Sequence, residues 1–162
     1  MLRTSIFYMR YNSAMNIDNF KLNQSFGFLI NALSLNTKHL LDLRLKAHHL
    51  TVHQFGILLN ISKKGPLTQK EIAQQTNGDE PTTARLMKRL EDKGCIKRVV
   101  DEVDKRKRMV SLTPEGIALL EKILPQAQEV NKEMLSSLND NEKAILVTLL
   151  NKVLTASKEK SL

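Results

Sequence analysis

The residues of this sequence with the most to offer chemically are cations. Four stand in a row, Lys105, Arg106, Lys107 and Arg108, directly after the acidic "DEVD" at 101–104, and the last of them opens the alternating stretch "RMVSLT". Three more, Arg85, Lys88 and Arg89, recur within "EPTTARLMKRLED" at 80–92. A folded chain tolerates such a density of like charge in solvent or against an anionic partner. Guanidinium groups add a planar fork of donors that fits anionic oxygens in pairs, so the chemistry on offer is anion recognition.

Nothing points as clearly to catalysis. The sequence holds no nucleophile elbow, P-loop, dinucleotide fingerprint or HExxH pattern, and its carboxylates and histidines have no telling spacing. The chain is therefore read as a non-enzyme, with no cofactor and no metal expected. His39, His48, His49 and His53 cluster, but His49 and His53 lie across an expected turn and not at i and i+4 of one helix, and acidic partners nearby are few. His48, His49 and His53 are instead candidates for lining a ligand pocket. Cys95 is the lone cysteine, which excludes an internal disulfide and suits a reducing, cytoplasmic setting. As an oxidant sensor it would need exposure and a lowered pKa; the alternative, preferred here, is a small buried hydrophobe.

Charge distribution sharpens the picture. The formal net charge is +8, and residues 62–113 hold thirteen Lys and Arg against eight Asp and Glu, so most of the excess sits in one third of the chain. That is the footprint of a surface for a polyanion, with nucleic acid first among them. Aromatic residues make up 4%, with no Trp and none between 56 and 162, which disfavours readers of single strands that stack bases on aromatic rings. No apolar run approaches the roughly 20 residues that a membrane helix needs. Residues 1–16 contain Arg3 and Arg10 and no acid; they are expected to be a disordered tail or an upstream extension, with Met15 an alternative start.

Helical apolar spacing predicts a long helix over 18–47. Thr51 with Gln54, Thr68 with Glu71, and Asn139 with Glu142 have capping-box spacing, each opening a helix. "KKGP" at 63–66 and "NGD" at 77–79 are breaks. Pro81 suits the first position of a helix ending before Gly94, and Thr113 with Pro114 starts another, which Pro125 is expected to kink or interrupt. The last helix is expected to end near Leu154, with 156–162 a frayed tail. "CIKRVV" and "RMVSLT" alternate and read as a hairpin with a long charged loop.

Two short helices joined by a tight turn and followed by a charged hairpin make a winged helix-turn-helix. The second helix of such a pair fits the major groove of duplex DNA. On that helix Thr83, Leu86, Met87, Leu90 and Gly94 form an inward stripe, while Thr82, Arg85, Lys88, Arg89 and Asp92 face out. Arg on guanine is the commonest specific contact. The hairpin tip would meet the flanking minor groove, whose concentrated negative potential attracts Arg, or the phosphates beside it. Asp104 is placed to hold one of the tip guanidiniums in a bidentate pair. The candidate DNA contacts are thus Thr68, Gln69, Thr82, Thr83, Arg85, Lys88, Arg89, Asp104, Lys105, Arg106 and Arg108.

The segment 67–121 resembles the MarR family of bacterial transcription regulators. The resemblance rests on "LTQKEIAQQT" as the first helix of the pair, "TTARLMKRLEDKGCIKR" as recognition helix and first wing strand, and "DKRKRMVSLTPEGIALLEK" as an Asp-x-Arg wing followed by a Leu-Thr-x-x-Gly helix start. It implies a mostly α fold with a small β-wing, with 48–121 the winged helix-turn-helix domain and 17–47 and 122–162 interlocking as dimerisation helices. It also implies a homodimer on a pseudo-palindromic operator, released by a small-molecule effector of unknown identity. A repressor is expected on a separate ground, because binding that occludes a promoter needs no further contact. By position Arg106 matches the wing arginine, Asp104 its acidic partner, and Arg85 the recognition-helix arginine. Ala84 departs from the family, many of whose members carry a hydroxyl there. A winged protein-interaction module and a redox- or zinc-responsive regulator of the same fold are the alternatives.

Overall fold

A computed structural model describes residues 21–76, 78–101 and 104–159. The expected tail at 1–16 lies outside the described residues. The chain divides into two units, Met1–His39 and Leu40–Leu162. Among the described residues the order is a 3-10 turn Leu22–Gln24, helix α1 (Phe26–Leu45), a 3-10 turn Lys46–His48, α2 (Val52–Lys64), β1 (Leu67–Thr68), α3 (Gln69–Gln75), α4 (Glu80–Asp92), β2 (Ile96–Val100), β3 (Arg108–Leu112), α5 (Pro114–Met134) and α6 (Asp140–Glu159).

The described part of the first unit is the opening 3-10 turn and the first turns of α1. The helix expected over 18–47 thus starts later, at Phe26, and Phe20 lies outside the described residues. Phe26, Phe28, Leu29, Leu33 and Leu35 are all exposed.

In the second unit, local capping accounts for most helix starts. Thr51 and Gln54 close a reciprocal box at α2, and Thr68 and Glu71 another at α3. The Thr113 hydroxyl accepts the Gly116 N–H at 3.1 Å, and the Asn139 side chain accepts the Glu142 N–H at 3.0 Å. Each pairing satisfies backbone donors that a helix start leaves orphaned. Gly65 ends α2 and Gly94 follows α4 with positive φ of 84° and 70°, a region open to glycine without a Cβ clash.

Three strands form one antiparallel sheet in the order β1-β3-β2, with Leu67 opposite Val110 and Ile96 opposite Leu112. The wing hairpin matches expectation; the two-residue β1 was not foreseen. Beneath the sheet, Leu45, Leu50, Phe55, Leu58, Ile61, Ile72, Met87, Leu90, Ile96, Val110, Leu120 and Ile123 close one apolar core. Burial of so many large side chains, each contributing roughly 1.5–3 kcal/mol, fixes α3, α4 and the wing as one body.

Two expectations about the C-terminal helices need correction. α5 runs through Pro125 without interruption to Met134. Both Pro125 and Glu121, whose carbonyl loses its donor, lie on the exposed side, where water can replace the missing bond. α6 continues past Leu154 to Glu159, so most of the segment read as a frayed tail is helical. No described side chain of α6 is buried, although the helix carries Ile145, Val147, Leu149, Val153 and Leu154.

Candidate nucleic-acid interface

The recognition helix is set by its first turn. Asp79, not foreseen as a cap, precedes α4, and its Oδ1 accepts the Thr82 N–H at 2.8 Å. That bond holds the Asp79 carboxyl below the usual carboxylate range. The helix begins at Glu80, so Pro81 occupies its second position and not its first. Thr83, Met87 and Leu90 point into the core. Thr83 is only 2% exposed, which corrects its place among the expected contacts: its side chain packs inward and cannot reach a groove.

The outward face differs from the expected stripe. Thr82, Arg85, Leu86 and Arg89 line an open depression of about 240 Å³. Their i, i+3, i+4, i+7 spacing is one face of a helix. Leu86, expected in the core stripe, is only half-buried and shares this outer surface with two guanidiniums. One Arg85 guanidinium nitrogen donates to the Thr82 hydroxyl at 3.1 Å, which lays that side chain along the helix toward its N-terminus. Lys88 lies off this face and is held by Asp92 at 2.7 Å, a pairing that raises the lysine pKa.

Thr68 and Gln69 sit where β1 runs into α3, both half-buried. The Thr68 hydroxyl accepts the Glu71 N–H at 3.2 Å and donates its one proton to Glu71 Oε2 at 2.7 Å. The Thr68 backbone N–H reaches the same oxygen at 2.7 Å. These bonds, the backbone one foremost, depress the Glu71 pKa, with Lys107 of the wing adding to them through its charge. The threonine hydroxyl is thus occupied in shaping the helix start.

The wing tip explains the acids that precede the four cations. Asp101 Oδ1 accepts the Asp104 N–H at 2.7 Å, and Asp104 Oδ1 accepts the Arg106 N–H at 3.1 Å. Backbone bonds from Asp101 N–H to the Lys107 carbonyl, 3.1 Å, and from Lys107 N–H to the Asp104 carbonyl, 2.9 Å, close the turn. Asp104 therefore acts on the arginine's backbone, where a grip on its guanidinium was expected. The turn leaves Lys105, Arg106, Lys107 and Arg108 exposed, with Arg108 opening β3 across from Val100. One contact that sequence reasoning missed ties wing to helix: Arg98 Nε on β2 lies 3.5 Å from Glu91 Oε2 on α4.

The other candidates are dispersed by role. His48 is half-buried with its Nε2 2.9 Å from the Gln126 side-chain nitrogen on α5. His49 is exposed and takes the left-handed conformation, φ 52°, that ends the second 3-10 turn; its carbonyl accepts from Lys93. His53 is exposed on the first turn of α2. Among the described residues, no group of three or more His, Cys, Asp or Glu is arranged to hold a metal. Cys95 is 4% exposed, and burial pushes its thiol pKa up, the opposite of what a reactive thiolate needs. Among the described residues no helix is long and apolar enough to cross a membrane.

Comparison with known proteins agrees with this geometry. Residues 50–107 match the sequence profile of the MarR family. An uncharacterized HTH-type transcriptional regulator of Bacillus cereus is 36% identical over 119 residues, 73% of this chain and 79% of that protein. The structure of BpsR from Bordetella bronchiseptica, whose DNA binding is regulated by 6-hydroxynicotinic acid, superposes with a TM-score of 0.75 at 25% identity, over 83% of this chain and 96% of the other. A mutant of MarR from E. coli in complex with operator DNA superposes with a TM-score of 0.72 at 28% identity, over 89% and 97% of the two chains. With a recognition helix, a charged wing and relatives that are transcriptional regulators and not enzymes, this chain belongs to the MarR family of winged-helix DNA-binding transcriptional regulators.

Proposed function

We propose that the protein acts as a homodimeric repressor on a pseudo-palindromic operator, each protomer setting α4 in the major groove and its wing tip against the flanking minor groove. The observation that carries this reading is the outer face of α4. It presents Thr82, Arg85 and Arg89 with their backs to a buried stripe, on a helix pinned to a wing whose four cations are exposed. Gln69, Lys88, Lys105, Arg106 and Arg108 supply phosphate or groove contacts around it. The E. coli relative in complex with operator DNA supports duplex DNA as the partner.

Dimerisation is supported by two helices, each taken by itself. α6 has no buried described side chain, and α1 has Leu45 alone, yet both are rich in large apolar residues. A 20-residue amphipathic helix owes most of its stability to packing, so such faces call for a second copy. Release by a small molecule is supported by the Bordetella bronchiseptica relative and its organic acid. His48, half-buried against Gln126, is the best placed of the three histidines to line an effector pocket. Repression follows from occlusion, because a dimer covering a promoter needs no further contact to block it.

The test is selection of bound duplexes from a random pool, followed by footprinting. Two related half-sites about 10 bp apart are expected, and affinity that falls about 10³–10⁵-fold between about 50 and about 200 mM salt. A single half-site, or binding indifferent to salt, would defeat the proposal.

A further inference from the structure

On the recognition helix one residue is out of place for an anion reader. Leu86 packs one side against the core and turns the other into the depression that Thr82, Arg85 and Arg89 line. An apolar group kept half-exposed between two guanidiniums gains nothing from phosphate. It gains from apolar surface presented at the same depth as the acceptor edges that arginine seeks. In the major groove only one natural base offers that surface, the 5-methyl group of thymine, and guanine offers the paired acceptors that suit arginine.

We propose that Leu86 is a specificity-determining residue that reads a thymine methyl next to a guanine read by Arg85 or Arg89. The spacing supports it. Leu86 follows Arg85 directly and precedes Arg89 by three residues, just short of one helical turn, so the three side chains fan over neighbouring base pairs along one helix face. The Thr82 hydroxyl, by taking one Arg85 nitrogen at 3.1 Å, draws that guanidinium toward the helix start, while Leu86 lines the same depression. This rests on the DNA-binding mode proposed above.

The experiment takes a duplex selected by the full-length protein and replaces each thymine, one at a time, with deoxyuridine, which lacks only the methyl. Wild type should lose about fourfold in affinity at one thymine per half-site, the effect of leaving one methyl group unburied, and that thymine should neighbour a guanine. Leu86→Ala should bind the thymine and deoxyuridine duplexes alike, and Leu86→Met should keep the discrimination. The wild-type arm needs no variant, so loss of folding in Leu86→Ala does not blunt it. If no deoxyuridine substitution weakens wild type, or Leu86→Ala discriminates as wild type does, the assignment to Leu86 is overturned. Selection of a duplex with steep salt dependence would show the DNA-binding mode intact even then; failure to select any duplex would strike at that mode itself.

Discussion

A Cβ placed on Gly116 would lie 2.0 Å from the carbonyl oxygen of Cys95, far inside contact distance. The same carbonyl accepts the Thr113 N–H at 3.1 Å, so the start of α5 is docked directly on the backbone that leaves α4 for the wing. The Leu-Thr-x-x-Gly pattern thereby has a physical reading. Thr113 caps the helix, and Gly116 is the one residue small enough to let it approach.

Gly116→Ala should therefore destabilise the protein by about 1–3 kcal/mol, as other insertions into filled space do. The neighbour in the way is backbone, which cannot swing aside as a side chain would. Denaturant melts should show a lower midpoint. Gly27→Ala, in a helix and with nothing within 4 Å, is the control that should melt no lower than wild type.

The α3 cap gives a pH-dependent prediction. Glu71 takes the Thr68 N–H and hydroxyl, which lowers its folded pKa below the unfolded value. A depressed carboxyl contributes stability that is present above the unfolded pKa and lost as pH falls through the folded one. Glu71→Gln keeps an acceptor without the charge, so its melting temperature should be lower than that of wild type at neutral pH and converge on it as acid protonates Glu71. Because Glu71 is exposed, the difference is small and is read by comparing the two proteins at each pH. A gap that widens toward acid would contradict the cap.

These caps were legible because their partners lie three residues apart, within reach of a pattern. What was not legible depends on distant partners or on angle. β1 is two residues long and is a strand only because Leu67 and Thr68 find Val110 and Met109. Leu86 has the residue type of a core position, but the buried arc of α4 is narrow, covering Thr83, Met87 and Leu90. Asp104 has the spacing of a partner for a guanidinium. In the folded turn the nearer Arg106 N–H takes that oxygen. Type and spacing marked out the winged helix; which way each of its side chains turns depends on the folded chain.

Arg106→Ala and Arg85→Ala should weaken DNA binding in different ways. Arg106 sits exposed on the wing turn, so its loss should weaken all sequences about equally and reduce the salt slope by about 1. Arg85 faces out of α4, so its loss should cost about 1–3 kcal/mol and relax preference at one position of each half-site. Binding to a panel of single-base operator variants separates the two. Identical panels for both variants would show that the wing and helix roles are wrongly divided.

Cys95 should be a spectator to oxidants. Its thiol is buried, its pKa is raised by that burial, and its Sγ lies 3.8 Å from the Lys93 carbonyl. A thiol reagent should modify it slowly under native conditions and quickly once the protein is unfolded. DNA affinity should be unchanged after brief exposure to peroxide. Rapid native modification together with release of DNA would make this protein a redox sensor after all.

The helix α6 carries the strongest stability argument for a dimer, because its apolar residues are exposed in a single protomer. Leu149 and Val153 are spaced at i and i+4, so they share a face. A pair of substitutions, Leu149→Glu and Val153→Glu, removes nothing from the core of the winged domain. It should, however, place two carboxylates in any apolar seam that this helix forms with a second copy, where burial of unpaired charge is strongly unfavourable. The mass in solution should fall from two chains to one. DNA affinity should fall with it, since one recognition helix then meets one half-site. Circular dichroism should still show the winged domain folded, and its melt should no longer depend on protein concentration, which separates assembly from folding. A variant that stays dimeric would place the seam elsewhere than on this face of α6.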